Sequence, residues 1–387
     1  MSRFALPDDG VFVGRMWQKG LGPCVIARRG GDVVDLTSPE APTMRDLLEM
    51  DAPASWVTRR LQDAPVLATL AELEDASPGD DDAQRVLSPA DLQAIKACGV
   101  TFAASMVERV IEEQAAGDPD LAEGIRARIG RAIGDNLRGI VPGSDQAAEV
   151  KAVLLREGLW SQYLEVGIGP DAEVFTKAQP MSSVGWGADI GIHPISRWNN
   201  PEPEIVLAVD SKGRIKGGTL GNDVNLRDVE GRSALLLGKA KDNNASAALG
   251  PFIRLFDDSF GLDDLRAARL TLTVEGADGY RLEGASSMAE ISRDPADLVA
   301  QLMGAHHQYP DGAMLYLGTL FAPVQDRDAP GQGFTHHTGD IVTISEPSLG
   351  ALVNRVALCT DCPPWRFGTA ALMRNLAGRG LLGGAQA

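Results

Sequence analysis

The sequence predicts an α+β, β-rich protein, and three observations carry that reading. From residue 160 onward, short apolar runs alternate with glycine-bearing turns, the pattern of strands joined by hairpins. Apolar residues recur at helical period in only a few segments, such as Met106, Val110 and Ile111. The chain has neither a long alternation of strand and helix patterns nor a G-x-G-x-x-G opening a helix, which argues against a dinucleotide-binding fold.

Taken in order, residues 10–36 read as short strands with glycine turns and residues 44–61 as a helix. The stretch 75–82 is dense in proline, glycine and aspartate, can neither pack nor continue a regular element, and divides the chain near residue 85. The expected organisation is therefore a small N-terminal α+β domain over residues 1–85 and a larger domain over 86–387. Ser88-Pro89 reads as the cap of a short helix, with proline at its first position and Asp91 in its first turn. Two more helices are expected, one at Met106 to Ile111 and one through Leu121, Ile125, Ile129 and Ile133, separated by Gly117-Asp118-Pro119. Hairpins are expected at residues 210–214 and 276–279, with clear alternation in Leu270 to Val274. Asp294-Pro295 starts the one helix expected to interrupt the strands, which resume near Met314 and at Ile341 to Ile344. No repeat of fixed period is present.

Composition bounds the function. With 36 Lys plus Arg against 53 Asp plus Glu, the net charge of -17 disfavours nucleic acid or an anionic membrane as the main partner. Four cysteines are too few for a disulfide framework, and the single C-x-x-C, Cys359 to Cys362, lacks the second ligand pair zinc would need. No secretory signal or long apolar span is evident, so the expectation is a soluble, cytoplasmic protein.

The chemistry gathers at Asn199-Asn200-Pro201-Glu202-Pro203-Glu204. Side chains two apart on a strand share a face, so Glu202 and Glu204 point together, and the turn Ser211 to Arg214 would return the chain to set Asp223 beside them. Carboxylates without His or Cys favour Mg²⁺, Mn²⁺ or Ca²⁺ over zinc, and open coordination positions would suit a bidentate anionic substrate. The polar, glycine-led run Gly221 to Asp228 reads as a ligand-binding loop at the end of the returning strand.

That ordered set, with Gly238-Lys239-Ala240-Lys241 and Gly250-Pro251 downstream, resembles the fumarylacetoacetate hydrolase superfamily. The resemblance implies a mixed β-sheet roll for the catalytic domain and Mg²⁺ (Mn²⁺ possible) held by Glu202, Glu204 and Asp223. It implies a lysine assisting at the substrate, Lys241 in preference to Lys239, and a substrate carboxylate bound at Thr319 of Gly318-Thr319. The hydrolases of the superfamily carry an aromatic residue and then His-x-x-Glu at a helix start. Here the stretch is Phe102-Ala103-Ala104-Ser105-Met106-Val107-Glu108, with serine in place of histidine. A serine without an activating partner is no general base near neutral pH. This text, with Trp198 to Glu204 and Ala240 to Asn244, is similar to the 2-keto-3-deoxy-pentonate dehydratase branch.

The implied reaction is a hydro-lyase conversion of a 2-keto-3-deoxy-pentonate to 2,5-dioxopentanoate, without a redox cofactor. Lys241, its pKa lowered by the cation, is the expected base at C3. Glu108 is the expected acid at the departing hydroxyl, with Ser105 beside it, and the two roles are exchangeable. Phe102 and Asn243 are expected to contact substrate, and Arg227 to brace its loop through Asp228 or Glu230. The five histidines are given no catalytic part. The superfamily implies a homodimer or homotetramer. Two competing expectations remain: hydrolysis of a C–C bond in a β-diketo acid, and a silent binding protein that keeps the fold.

Overall fold

Strand Pro203–Val209 is buried along its whole length. Ile205, Leu207 and Val209 join one apolar cluster and Val206 and Ala208 another. A strand covered on both faces needs no polar alternation, which is why Ile205 to Val209 read as an unbroken apolar run.

The computed structural model of the chain describes residues 3–75, 83–116, 118, 120–122, 124–125, 140–156, 160–319, 321, 323 and 325–382. Among these, Pro203–Val209 lies within an 11-stranded mixed sheet. Its order is Val66–Thr69, Asp32–Asp35, Gly22–Arg29, Phe12–Gln18, Ala247–Leu255, Ile215–Asp223, Pro203–Val209, Ala313–Tyr316, Ala94–Gly99 and Glu173–Ala178, with Arg85–Leu87 pairing off the path to Phe12–Gln18. Phe12–Gln18 pairs directly with Ala247–Leu255, so the strands of residues 1–85 extend the sheet that holds Glu204.

A second sheet of five strands runs Arg281–Ser287, Arg269–Glu275, Ile341–Glu346, Gly350–Leu358 and Asp189–Ile192. The larger apolar cluster joins the two sheets, combining Ile205 and Leu207 with Leu270, Leu272, Val342 and Leu352. The opposite face of the large sheet is closed by Met44, Leu47 and Val57 from two helices. A third cluster centres on helix Ala103–Gln114 and helix Gln162–Ile168.

Most expected elements are present. Pro203–Val209 and Ile215–Asp223 form the expected antiparallel hairpin, closed where Gly213 N donates to Asp210 O at 3.0 Å. Arg269–Glu275 alternates between exposed and buried residues before its turn at 276–279. The helix behind Asp294 runs Pro295–Leu302, with the Asp294 side chain capping Ala296 N.

Three expectations are corrected. The single helix over 44–61 is two helices, Met44–Glu49 and Pro53–Arg60. Proline has no N–H for the ladder and disfavours a helical residue before it, so Ala52 is non-helical and Pro53 starts afresh. No helix follows Ser88-Pro89. That segment leads into strand Ala94–Gly99, and the Asp91 carboxylate instead accepts from Met44 N at 2.7 Å and Arg45 N at 3.1 Å. Asp91 thus caps a helix remote in sequence. Finally, the region from residue 160 onward holds further helices, among them Gln162–Ile168, Leu262–Ala267 and Thr369–Gly378. The expected linker beyond Asp75, the break at Gly117 and Pro119, and the helix through Ile129 and Ile133 lie outside the described residues. Among the described residues no helix is long and apolar enough to cross a membrane.

Asp91 also lies 3.5 Å from the buried Arg15 guanidinium. Asp91→Ala therefore removes a helix cap and leaves a buried cation less compensated. We expect a stability loss of about 3 kcal/mol, read from the urea midpoint; a loss within experimental error would contradict the remote cap.

Candidate functional site

The site is assembled at one end of the Pro203–Val209 hairpin. Register pairs Glu204 with Gly221, and Asp223 N donates to Glu202 O at 3.0 Å, which sets the third carboxylate beside the first two. The Asn222 side chain accepts from Glu202 N at 3.1 Å and pins the segment before the strand. Glu202, Glu204 and Asp223 are all buried, and each offers a carboxylate oxygen within 4.8 Å of the others.

Three cations answer this buried charge. Lys241 Nζ lies 2.6 Å from Glu202 Oε2 and 3.0 Å from Asp223 Oδ2. Lys177, with no exposed surface, lies 2.8 Å from Asp223 Oδ1 and donates to the carbonyls of Val224 at 3.0 Å and Lys241 at 2.6 Å. Arg109 reaches Glu202 Oε1 at 2.6 Å while also pairing with Glu112 at 2.7 Å and Glu230 at 2.9 Å. Arg227 continues the series with Glu112 at 2.7 Å and Glu108 at 3.1 Å, and stacks on Trp198 at 4.2 Å.

These surroundings divide the carboxyl groups. Burial works against the Asp223 charge, but Lys177 and Lys241 outweigh it and hold that carboxyl below its ordinary value. Glu204 is pushed well above the usual range by burial and by the charges of Asp223 and Glu202, against the Gly318 N–H that donates to its Oε2 at 2.7 Å. Glu202 is raised by burial in spite of Lys241 and Arg109. Asp223 Oδ1 is buried and makes no hydrogen bond among the described residues, although Lys177 lies beside it. Three converging oxygen donors, one without a hydrogen bond and one short of compensating positive charge, fit a hard divalent cation.

The backbone comes close to the acids at two glycines. Gly318 has φ +91, and a Cβ there would collide with Thr101 Oγ1; this conformation delivers its N–H to Glu204. Gly99 lies opposite Glu173 across the strand pair, and a Cβ there would collide with the Glu173 carboxylate.

Among the residues expected in the site, Lys241 is buried on the acidic cluster and Lys239 is exposed, which separates the two lysines. Among the protein's own groups, burial opposes the Lys241 charge, but Asp223, Glu202 and Glu230 outweigh it and raise the pKa; the lowering expected above belongs to the cation-bound site. Arg227 does not pair with Asp228 or Glu230. It braces helix Ala103–Gln114 instead, while Asp228 accepts from Ser196 Oγ and Arg197 N. Glu108 pairs with Arg227, and the Ser105 hydroxyl donates to Phe102 O at 2.8 Å and accepts from Phe102 N, closing the first turn of the helix. Phe102 is fully buried in the main apolar cluster. Thr319 Oγ1 accepts from Phe321 N, and the Asn243 amide donates to Lys239 O.

Sequence reasoning missed Glu173, Lys177 and Arg109. Burial, and then the neighbouring Glu230 charge, push Glu173 up to about 7. The signal lay in strand Glu173–Ala178, whose residues Glu173, Phe175 and Lys177 alternate acid, aromatic and base. Phe175 lies under Lys241 Nζ at 5.6 Å.

A mixed-sheet fold with a buried all-carboxylate cluster defines the class, and comparison places the chain within it. The sequence matches the family described as fumarylacetoacetate (FAA) hydrolase C-terminal over residues 164–357. The chain belongs to the fumarylacetoacetate hydrolase family. A probable 2-keto-3-deoxyxylonate dehydratase of Haloferax volcanii is 30% identical over 213 residues, 55% of this chain and 68% of that protein. A 2-dehydro-3-deoxy-D-arabinonate dehydratase of Saccharolobus solfataricus is 30% identical over 187 residues, 48% of this chain and 58% of that protein. In fold, the chain is similar to a 2-keto-3-deoxy-D-arabinonate dehydratase in its apo form, with TM-score 0.60 and 21% identity over 90% of this chain and 99% of the other. It is similar also to one complexed with magnesium and 2,5-dioxopentanoate, with TM-score 0.59 and 20% identity over the same shares.

Lys177 forms an ion pair with Asp223 and donates to two carbonyls with no access to water. Lys177→Met should cost about 3–5 kcal/mol, the usual penalty for removing one partner of a buried pair, whereas Lys239→Met should stay within about 0.5 kcal/mol. Urea denaturation of the two variants side by side checks the contrast.

Proposed function

We propose that the protein is a Mg²⁺-dependent dehydratase (Mn²⁺ as substitute) that converts a 2-keto-3-deoxy-pentonate to 2,5-dioxopentanoate. The observation that carries this reading is the buried Glu202, Glu204 and Asp223 cluster with Lys241 on it, in a chain related to proteins named as dehydratases of such acids. Glu202, Glu204 and Asp223 would hold the cation. When bound, it supplies Lewis-acid stabilisation of negative charge developing on the keto-acid oxygens.

Glu173 is the general base in this proposal. Its carboxyl is poised near neutrality, so it can take the C3 proton and give it up again. Loss of the C3 proton and of the C4 hydroxyl together releases one water. Transfer of a C5 proton to C3 through a dienol leaves a C4=C5 enol, and movement of the enol hydroxyl proton to C4 yields the aldehyde, so no oxidant is needed. Lys241, charged and bonded to Glu202 and Asp223, is suited to holding those acids and an anionic substrate in place. Glu108 is bound to Arg227 and serves in this account to position the helix.

The hydrolytic alternative is disfavoured at the start of helix Ala103–Gln114. The Ser105 hydroxyl is engaged by the Phe102 backbone, and no histidine stands there to activate water.

Purified protein with Mg²⁺ and 2-keto-3-deoxy-pentonate should form the semialdehyde with the carbon chain intact, followed by mass spectrometry and an aldehyde assay. Pyruvate release, or no turnover, would sink the proposal. A base must be ionised to accept a proton, so kcat/KM should rise with pH to a plateau through an apparent pKa at or below about 7. In Glu173→Gln that limb should vanish and kcat should fall by about 10²–10⁴-fold. A variant that keeps the wild-type pH profile would remove Glu173 from the mechanism.

A further inference from the structure

A cavity of about 570 Å³ opens between the N-terminal strands, the loop leading into strand Asp189–Ile192 and the segment after strand Gly350–Leu358. None of Glu202, Glu204, Asp223 or Lys241 lines it. Its volume is that of a small-molecule pocket.

The lining combines flat rings with guanidinium groups: Trp17, Trp186, Trp365 and Phe367, together with Arg85 and Arg366. Trp17 and Phe367 meet edge to face at 5.0 Å, and the Arg85 guanidinium lies 5.2 Å over the Trp17 ring. Trp365 is 47% exposed, an unusual outlay of indole surface on a wall that serves packing alone. Arg366 is exposed and makes no ion pair among the described residues. Four arginines line the cavity, Arg15, Arg85, Arg355 and Arg366, against two aspartates, Asp189, paired with Arg355 at 2.8 Å, and Asp361; in a chain of net charge -17 that balance runs against the background.

We propose that this cavity is a second binding site, separate from the acidic cluster, for a small anion that carries a flat aromatic ring. The ring stacks on the exposed Trp365 indole, and the oxyanion pairs with the guanidinium groups at the edge of the cavity. Nucleoside monophosphates and aromatic carboxylates share this chemistry.

The intact protein should be titrated with AMP and, separately, with 2-naphthoate, reading tryptophan fluorescence and calorimetric heat. At least one of the two should bind saturably in the micromolar to low millimolar range. Ribose 5-phosphate, an anion without the ring, and adenosine, a ring without the anion, should each bind at least about tenfold more weakly than AMP if AMP is bound. Trp365→Ala and Arg366→Ala, both surface substitutions, should each weaken the bound probe by about tenfold. Binding of AMP alone identifies a nucleotide site, and of naphthoate alone an aromatic carboxylate site. The proposal is overturned if neither probe saturates, if both variants bind as the parent does, or if ribose 5-phosphate or adenosine binds as tightly as AMP. These readouts are independent of turnover, so they stand or fall apart from the dehydratase reading.

Discussion

The burial of three carboxylates within reach of one another is the constraint on which the rest of this structure depends. Like charges taken out of water repel and lose hydration together, so they persist only with compensation built around them. Lys241, Lys177 and Arg109 provide it directly. Lys241 and Lys177 are themselves buried and Arg109 largely so, and each creates a further demand. Arg109 needs Glu112 and Glu230, and Glu112 in turn takes Arg227, which reaches Glu108. Alternating charge therefore runs from the strand end into helix Ala103–Gln114, and the position of that helix follows from the electrostatics of the acids.

The same enclosure separates chemically identical groups. Asp223 is held charged by two ammonium groups, whereas Glu173, facing Glu230 and burial with less compensation, lies near neutrality. Environments that push carboxyl groups apart in this way allow one to bind a cation while another exchanges a proton. The sheet makes the contrast possible, because apolar clusters cover both faces of Pro203–Val209 and keep solvent from levelling the differences. Gly99 and Gly318 let backbone and carboxylate approach where a side chain would intervene.

How much was legible in the sequence depended on how far apart the partners stood. Glu202, Glu204 and Asp223 could be placed together because a single hairpin joins them, and the period of a strand fixes which side chains share a face. Lys241 could be preferred to Lys239 through the resemblance to the fumarylacetoacetate hydrolase superfamily. Asp91 misled because a carboxylate beside Ser88-Pro89 reads as a local cap, yet the amides it serves belong to Met44 and Arg45. Arg227 misled in the same manner, since acids adjacent in sequence were nearer to hand than Glu108 and Glu112. Glu173 and Lys177 were passed over because a short strand with charged residues reads as solvent-facing until the elements covering it are known.

The sequence by itself determined the β-rich architecture, the family, and which oxygens are available to a hard cation. Those properties reside in local periodicity, turn chemistry and short motifs. Only the tertiary structure decided the surroundings and pairing of those groups: that Asp223 and Glu202 outweigh burial at Lys241, that burial pushes Glu173 up to about 7, and that Ser105 is spent on its own helix start. The physical reason is that desolvation and Coulomb interaction depend on distances through space to residues far away along the chain, and no local pattern encodes them.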